Sequence, residues 1–315
     1  MRKVEDTLKA RELSDASIKA YMMRLRLLNG GRSFNSFAFL KDIPAIDTII
    51  AKGKENTQKN YYVAITSTLK DYKDKPTYKK MYQYYLRKLD TVAASLHKTD
   101  DTNEKTDTQE KNWMEWNDIL KVKKDLQDKV DAIDISGTEI LRTDYDLILN
   151  NLILALYTDI EPRRNKDYML MRVAKFPRVE ELPKTHNYFD IDRKRFIYNN
   201  YKTSNTYMQQ IIDVKDNLPL LKTIDNYLKV HQIGKELEGN YMFPLLAHHG
   251  GSEFSLDYDI TRTLNKIFGK NIGSSMLRHI YNSRDKETVQ KIRELKETAK
   301  NMGHSIGIAL NYAKI

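Results

Sequence analysis

Residues 98–112, KTDDTNEKTDTQEKN, contain no aliphatic or aromatic side chain. A segment with nothing apolar to bury cannot join a packed core, so it reads as a solvated linker. Apolar structure restarts immediately afterwards in WMEWNDIL, at Trp113 and Trp116. The 315 residues therefore divide into a module over 1–97, a linker over 98–112 and a larger module over 113–315. Each module is long enough for a core of its own.

Charge follows the same division. The chain has 53 Lys+Arg against 43 Asp+Glu, a net of +10. Residues 1–98 hold 20 basic and 10 acidic side chains, while residues 99–315 hold 33 of each. All of the excess positive charge thus lies in the N-terminal third. A basic module joined to a neutral one suits a polyanion clamp attached to a chemical domain, although lysine-rich helical bundles are also common as merely soluble domains. There are no cysteines. That excludes disulfides, thiol nucleophiles and Cys-type zinc sites, and it suits a reducing compartment. No apolar run approaches the ~18 residues of a membrane span. The first residues, MRKVEDTLKARELSD, lack an apolar h-region, so no secretory signal is expected.

Periodicity predicts helices throughout the first module. Ser14 or Asp15 can cap a helix with Ile18, Tyr21, Met22, Leu25 and Leu28 at spacings of three or four, ended by Asn29-Gly30-Gly31. Further helices are expected over 44–52, 57–72 and 76–96, a four-helix bundle. In the second module helices are expected over 116–130 and 143–157, the latter wholly apolar on one side. Short alternating runs at 168–173, 188–191, 195–200 and 209–214 read as antiparallel strands. Helices resume over 218–230, 260–268, 274–281, 287–301 and 306–312.

Several polar residues stand out against this frame. LYTDIEPRRNKDY, at the end of the apolar helix, contains Arg163, Arg164 and Asp167. NNYKTSNTYMQQIIDV places Lys202 between two strands, in the turn of a hairpin. SSMLRHIYNSR contains Ser275, Arg278 and His279. The closing MGHSIGIALNYAKI has His304 after a glycine and Tyr312 eight positions later. Metal-free cleavage of a phosphodiester needs cationic donors for the charge on the phosphorane. It also needs a nucleophile that can lose a proton and a donor to protonate the leaving oxygen. Two arginines, a tyrosine, and a lysine or histidine are the minimum set. The pair His248-His249 lies in a Gly-flanked loop, AHHGG, without spaced acidic partners. It reads as a loop or DNA-proximal feature, and no metal or cofactor is expected.

In this order the residues resemble the active site of the tyrosine recombinases and integrases, especially those of large DNA viruses and eukaryotic mobile elements. The likeness runs from the helix before Arg164 to the end of the chain. It implies a mainly α protein: an N-terminal helical core-binding bundle followed by an α+β catalytic domain with a small antiparallel sheet. It implies that Tyr312 is the nucleophile, that Arg164 and Arg278 hold the scissile phosphate, that Lys202 protonates the leaving 5′ oxygen, and that His304 bonds the phosphate and assists proton movement. Arg163 is the alternative to Arg164. The spacing from Thr158 is longer than in the bacterial pattern, and eight residues rather than nine separate His304 from Tyr312. Ser275 stands where the family has a histidine, and His279 is expected to be structural rather than catalytic. The implied activity is DNA recombination or integration through a 3′-phosphotyrosine bond. The implied partner is double-stranded DNA, bound by a homotetramer on two duplexes, with no membrane. The implied location is intracellular, at DNA. Type IB topoisomerase-like relaxation and a catalytically inactive DNA-binding relative are the alternatives. A helical rather than β-rich N-terminal domain favours the recombinase. Only three residues follow Tyr312, so any exchange between subunits is expected to use the Tyr312 helix or another element.

Overall fold

The computed structural model describes residues 2–11, 13–101, 104–136, 140–169, 171–175, 178–231, 241–254 and 257–312. The chain forms two compact units, residues 1–105 and residues 106–315. Helix predominates, with one five-stranded sheet.

The first unit contains α1 (Arg2–Lys9), α2 (Asp15–Leu28), α3 (Ile43–Ala51), α4 (Glu55–Leu69) and α5 (Pro76–Asp101). The Ser14 hydroxyl caps α2 by accepting from the Ser17 amide. At the other end Gly30 and Gly31 donate to the carbonyls of Leu27 and Arg26, with Gly30 at φ +66°. This left-handed stop favours glycine and fits Asn29-Gly30-Gly31 as a terminator. Asp42 caps α3, with Pro44 in its first turn. Ile18, Met22, Leu25 and Leu28 of α2 are buried with Tyr62, Ile65 and Leu69 of α4 and with Tyr85 of α5. Val4 and Leu8 of α1 join the same core.

The segment 98–112, in which the two units divide, is partly helical. Helix α5 continues to Asp101, and α6 (Asp107–Asn112) follows. Thr106 and Gln109 bond each other's backbone amides in a capping box. Caps and backbone bonds need no apolar side chain, so a segment without them can be helical. It cannot be packed, and α6 buries no side chain.

The second unit begins with α6 and continues with α7 (Trp116–Asp131) and α8 (Arg142–Thr158). Every residue from Asn151 to Tyr157 is buried, so α8 is enclosed on all sides. It packs against α7, against α11 (Leu218–Val230) and against α12 (Asp257–Phe268). Between α8 and α11 the chain forms α9 (Asn165–Met169), β1 (Met171–Lys175), β2 (Asn187–Asp190), β3 (Arg195–Tyr198), α10 (Ser204–Tyr207) and β4 (Gln210–Asp213). Strand β5 (Tyr241–Pro244) precedes α12, and α13 (Ser274–Asn282), α14 (Lys286–Asn301) and α15 (Ile306–Tyr312) complete the described chain.

The sheet order is β4-β3-β2-β1-β5. It is mixed rather than antiparallel, because β1 and β2 run parallel while the other pairs are antiparallel. The connection over 176–186 can span ~36 Å, more than the ~16 Å of a five-residue strand, so it returns the chain to the starting end. The first strand also begins later than its alternation suggests. Tyr168 is helical and fully buried, its hydroxyl donating to the Leu156 carbonyl at 2.8 Å. Strand β5 was not foreseen. No described helix is long and apolar enough to cross a membrane.

Candidate active site

The turn between α8 and α9 is fixed from below. The hydroxyl of buried Tyr157 donates to Asn165 Oδ1 at 2.9 Å, and Asn165 Nδ2 donates to Thr261 Oγ1 at 2.9 Å. The last turn of α8 is thus tied through α9 to α12. Two neighbouring arginines leave this turn in different circumstances. Arg163 Nε donates to Asp167 Oδ2 at 2.9 Å and Nη1 to Gln210 Oε1 at 3.0 Å. Its guanidinium lies 3.7 Å above the Tyr198 ring and 5.1 Å from that of Tyr201. Arg164 is half-buried, and its guanidinium makes no hydrogen bond or ion pair among the described residues. Asp167 is 2% exposed. Burial raises its pKa, against the opposing charges of Arg163 and Arg164. The acid three residues after Arg164 therefore pairs with Arg163, and the Arg164 guanidinium is left over.

Helix α13 presents the second arginine. Ser274, Leu277 and Ile280 are buried, which sets the inward face of the helix. Arg278 Nε donates to the Ser274 carbonyl at 3.3 Å. Arg278 is half-buried, and its terminal nitrogens have no partner among the described residues. Burial lowers the Arg278 pKa, and the nearby Arg164 charge lowers it further. Ser275 and His279 fall on the exposed side of α13, and neither side chain is hydrogen-bonded among the described residues.

Lys202 lies in the connection between β3 and β4, as expected. That connection is longer than a tight turn and contains the single turn of α10. Lys202 is exposed. The residues before it are anchored: Asn187 Oδ1 accepts from the amides of Asn199 and Asn200, both at 2.8 Å. Asn187 Nδ2 donates to the carbonyls of Asp167 and Asn200.

The segment MGHS is a helix stop followed at once by a helix start. Gly303, at φ +72°, donates to the Lys300 carbonyl, and His304 donates to the Ala299 carbonyl. These two bonds form a Schellman stop, which requires the glycine. Ser305 Oγ then accepts from the Ile308 amide at the start of α15. His304 is pinned between the two, and its ring lies 5.5 Å from the ring of Tyr312. Tyr312 is 65% exposed. Residues 313–315, the tail after Tyr312, lie outside the described residues.

Of the other tyrosines in this region, Tyr281 is edge-on to Trp116 at 5.3 Å and carries the Arg284 guanidinium over its face at 3.6 Å. Tyr207, in α10, is exposed. His248 stacks on Phe254 at 4.2 Å, and His249 packs edge-on to Tyr145 at 5.4 Å.

The site residues fall into three groups: Arg164 with Arg278, Lys202 on its anchored connection, and His304 with Tyr312. No hydrogen bond, ion pair or ring contact among the described residues joins one group to another. Sequence reasoning missed Asn165, Asn187, Tyr198, Tyr201 and Gln210. None has a spacing that marks it, because each acts on a partner brought close only by folding. Chemically, the first group is a concentration of positive charge that can attract an anion. Arg163 pairs with Asp167, while the charges of Arg164 and Arg278 interact with each other and with Asp167 and carry no ion pair among the described residues, so both are available to an anion. No family model, curated protein or solved structure matches this chain.

Proposed function

We propose that this chain is a DNA strand transferase of the tyrosine recombinase type. The observation that carries the reading is the Arg164–Arg278 pair, two guanidiniums close enough to interact and without a carboxylate of their own. Such a pair favours a dianionic phosphorane over the monoanionic diester, which is the condition for transition-state stabilisation. The Tyr312 hydroxyl attacks phosphorus and its proton passes to His304, whose ring is adjacent. The bond from phosphorus to the 5′ oxygen breaks, and Lys202 protonates that oxygen. A 5′ hydroxyl from a second duplex reverses the step, so no cofactor is consumed. The positive excess of the N-terminal third suits phosphate contacts on duplex DNA, with binding that falls steeply as salt rises.

The test is a covalent trap. Nicked duplexes from the source genome, built so that the cut strand escapes, are incubated with the protein and resolved on a denaturing gel. A protein–DNA adduct that disappears in Tyr312→Phe is the expected result. Wild type and Tyr312→Phe behaving alike, with DNA still bound, would leave an inactive DNA-binding relative. If the adduct forms, plasmid relaxation without strand exchange would assign the topoisomerase-like alternative.

A further inference from the structure

We propose that Arg163 is a positioning residue, which holds the Lys202 connection in register with the turn that bears Arg164. The inference rests on the strand-transfer reading above and goes beyond it, since that reading assigns Arg163 no task. Lys202 is exposed and makes no ion pair among the described residues, so its own side chain does not fix its place. Its location depends on the base of the β3–β4 connection.

Arg163 grips that base at both ends. On the outgoing side its guanidinium covers Tyr198 at 3.7 Å and approaches Tyr201, the residue before Lys202. On the returning side its Nη1 donates to Gln210, the first residue of β4. The Tyr201 hydroxyl donates to the Met208 carbonyl at 2.7 Å and closes the same loop from within. Arg163 Nε remains on Asp167, in its own turn. One planar group thereby bonds an acid, an amide and an aromatic face from three segments. A lysine ammonium has neither the flat face nor the fork to do all three. Asn187 is a second strut between the same two places, bonding the Asp167 carbonyl on one side and Asn199 and Asn200 on the other.

A proton donor must sit within hydrogen-bond reach of the leaving oxygen, so loosening this base should impair proton delivery and leave the phosphate contacts of Arg164 and Arg278 in place. The step affected is transfer of the Lys202 proton to the 5′ oxygen as the phosphorus–oxygen bond breaks. A sulfur in place of that oxygen leaves as a thiolate and needs no such proton.

The experiment compares Arg163→Lys, Gln210→Ala, Lys202→Ala and wild type on two trapped duplexes, one ordinary and one with a 5′-bridging sulfur at the cut. Gln210→Ala keeps the buried Arg163–Asp167 pair and covers the case in which Arg163→Lys fails to fold, checked by circular dichroism. Arg163→Lys is expected to slow the ordinary cut at least about tenfold, and Lys202→Ala about a hundredfold, with both recovering to within about threefold of wild type on the sulfur duplex. Gln210→Ala should show the same pattern more weakly. Equal slowing of Arg163→Lys on both duplexes would overturn the positioning role, as would normal cutting of the ordinary duplex by both Arg163→Lys and Gln210→Ala. Lys202→Ala without sulfur rescue would overturn it too, because Lys202 would not be the proton donor. No adduct from wild type on either duplex would bring down the strand-transfer reading itself, and the positioning role with it.

Discussion

The arginine part of the candidate site and the tyrosine part are built in opposite ways. Arg164 and Arg278 rise from a turn and a helix rooted in the main core, where fully buried Tyr157 donates to Asn165, the residue after Arg164. His304 and Tyr312 sit on an arm in which α14 buries only Ala299 and α15 buries no side chain. Ile308, Leu310 and Tyr312 of α15 are 45%, 55% and 65% exposed. In the proposed reaction the arginines would thus be preorganised before substrate arrives, whereas the proposed nucleophile is carried on an element whose position little burial enforces.

Four measurements can break or sharpen this contrast. The largest effect is expected from Tyr312→Phe, which should abolish the covalent adduct while leaving thermal stability unchanged. A loss of stability would show that the arm is packed after all. Next, Arg164→Ala and Arg278→Ala should each slow cleavage of bound DNA by ~10²–10³-fold with little change in affinity. Mutants that bind DNA tenfold worse yet cut bound DNA normally would remove both from the chemistry. Third, Leu152→Ala in fully buried α8 should cost about 2–5 kcal/mol in urea unfolding, and Leu310→Ala in α15 no more than ~0.5 kcal/mol. Similar costs at the two positions would erase the distinction.

The smallest effect concerns pH. Burial raises the pKa of Tyr157, Tyr168, Tyr198 and Tyr227, all in the main core. A phenol raised in the folded state contributes stability fully below its unfolded pKa of ~10 and loses that contribution as pH climbs through the folded value. Unfolding midpoints should therefore hold from pH 8 to 9.5 and fall above ~10. Amide exchange in α8 and α13 should rise over the same window. Exchange in α15, whose one tyrosine is exposed, should already be fast at pH 8. Protected α15 amides at pH 8 would contradict the contrast.

Much of the framework was legible from local chemistry. Helix α2 announces its start at Ser14 and its stop at Asn29-Gly30-Gly31, because capping hydrogen bonds and left-handed backbone depend on near neighbours. The same holds for MGHS, where a glycine stop and a serine start leave His304 one place to stand. The parallel pairing of β1 with β2 was not legible, since strand direction is set by where a connection returns the chain and not by alternation within it. The helical character of 98–101 and 107–112 was misread for a related reason: absent apolar residues forbid packing but not backbone hydrogen bonds.

Arg163 and Arg164 mark the limit most sharply. The sequence by itself determined that two cations follow the buried helix, that an acid stands three and four residues beyond them, and that His304 and Tyr312 flank a helix start. It could not say which arginine is free. Tyr198, Tyr201 and Gln210 decide that, and they come from β3, its connection and β4, in a sheet whose order is fixed only when the core closes. A guanidinium is occupied or available according to what stands within about 4 Å of it. Contacts at that range between distant segments exist only in the folded chain.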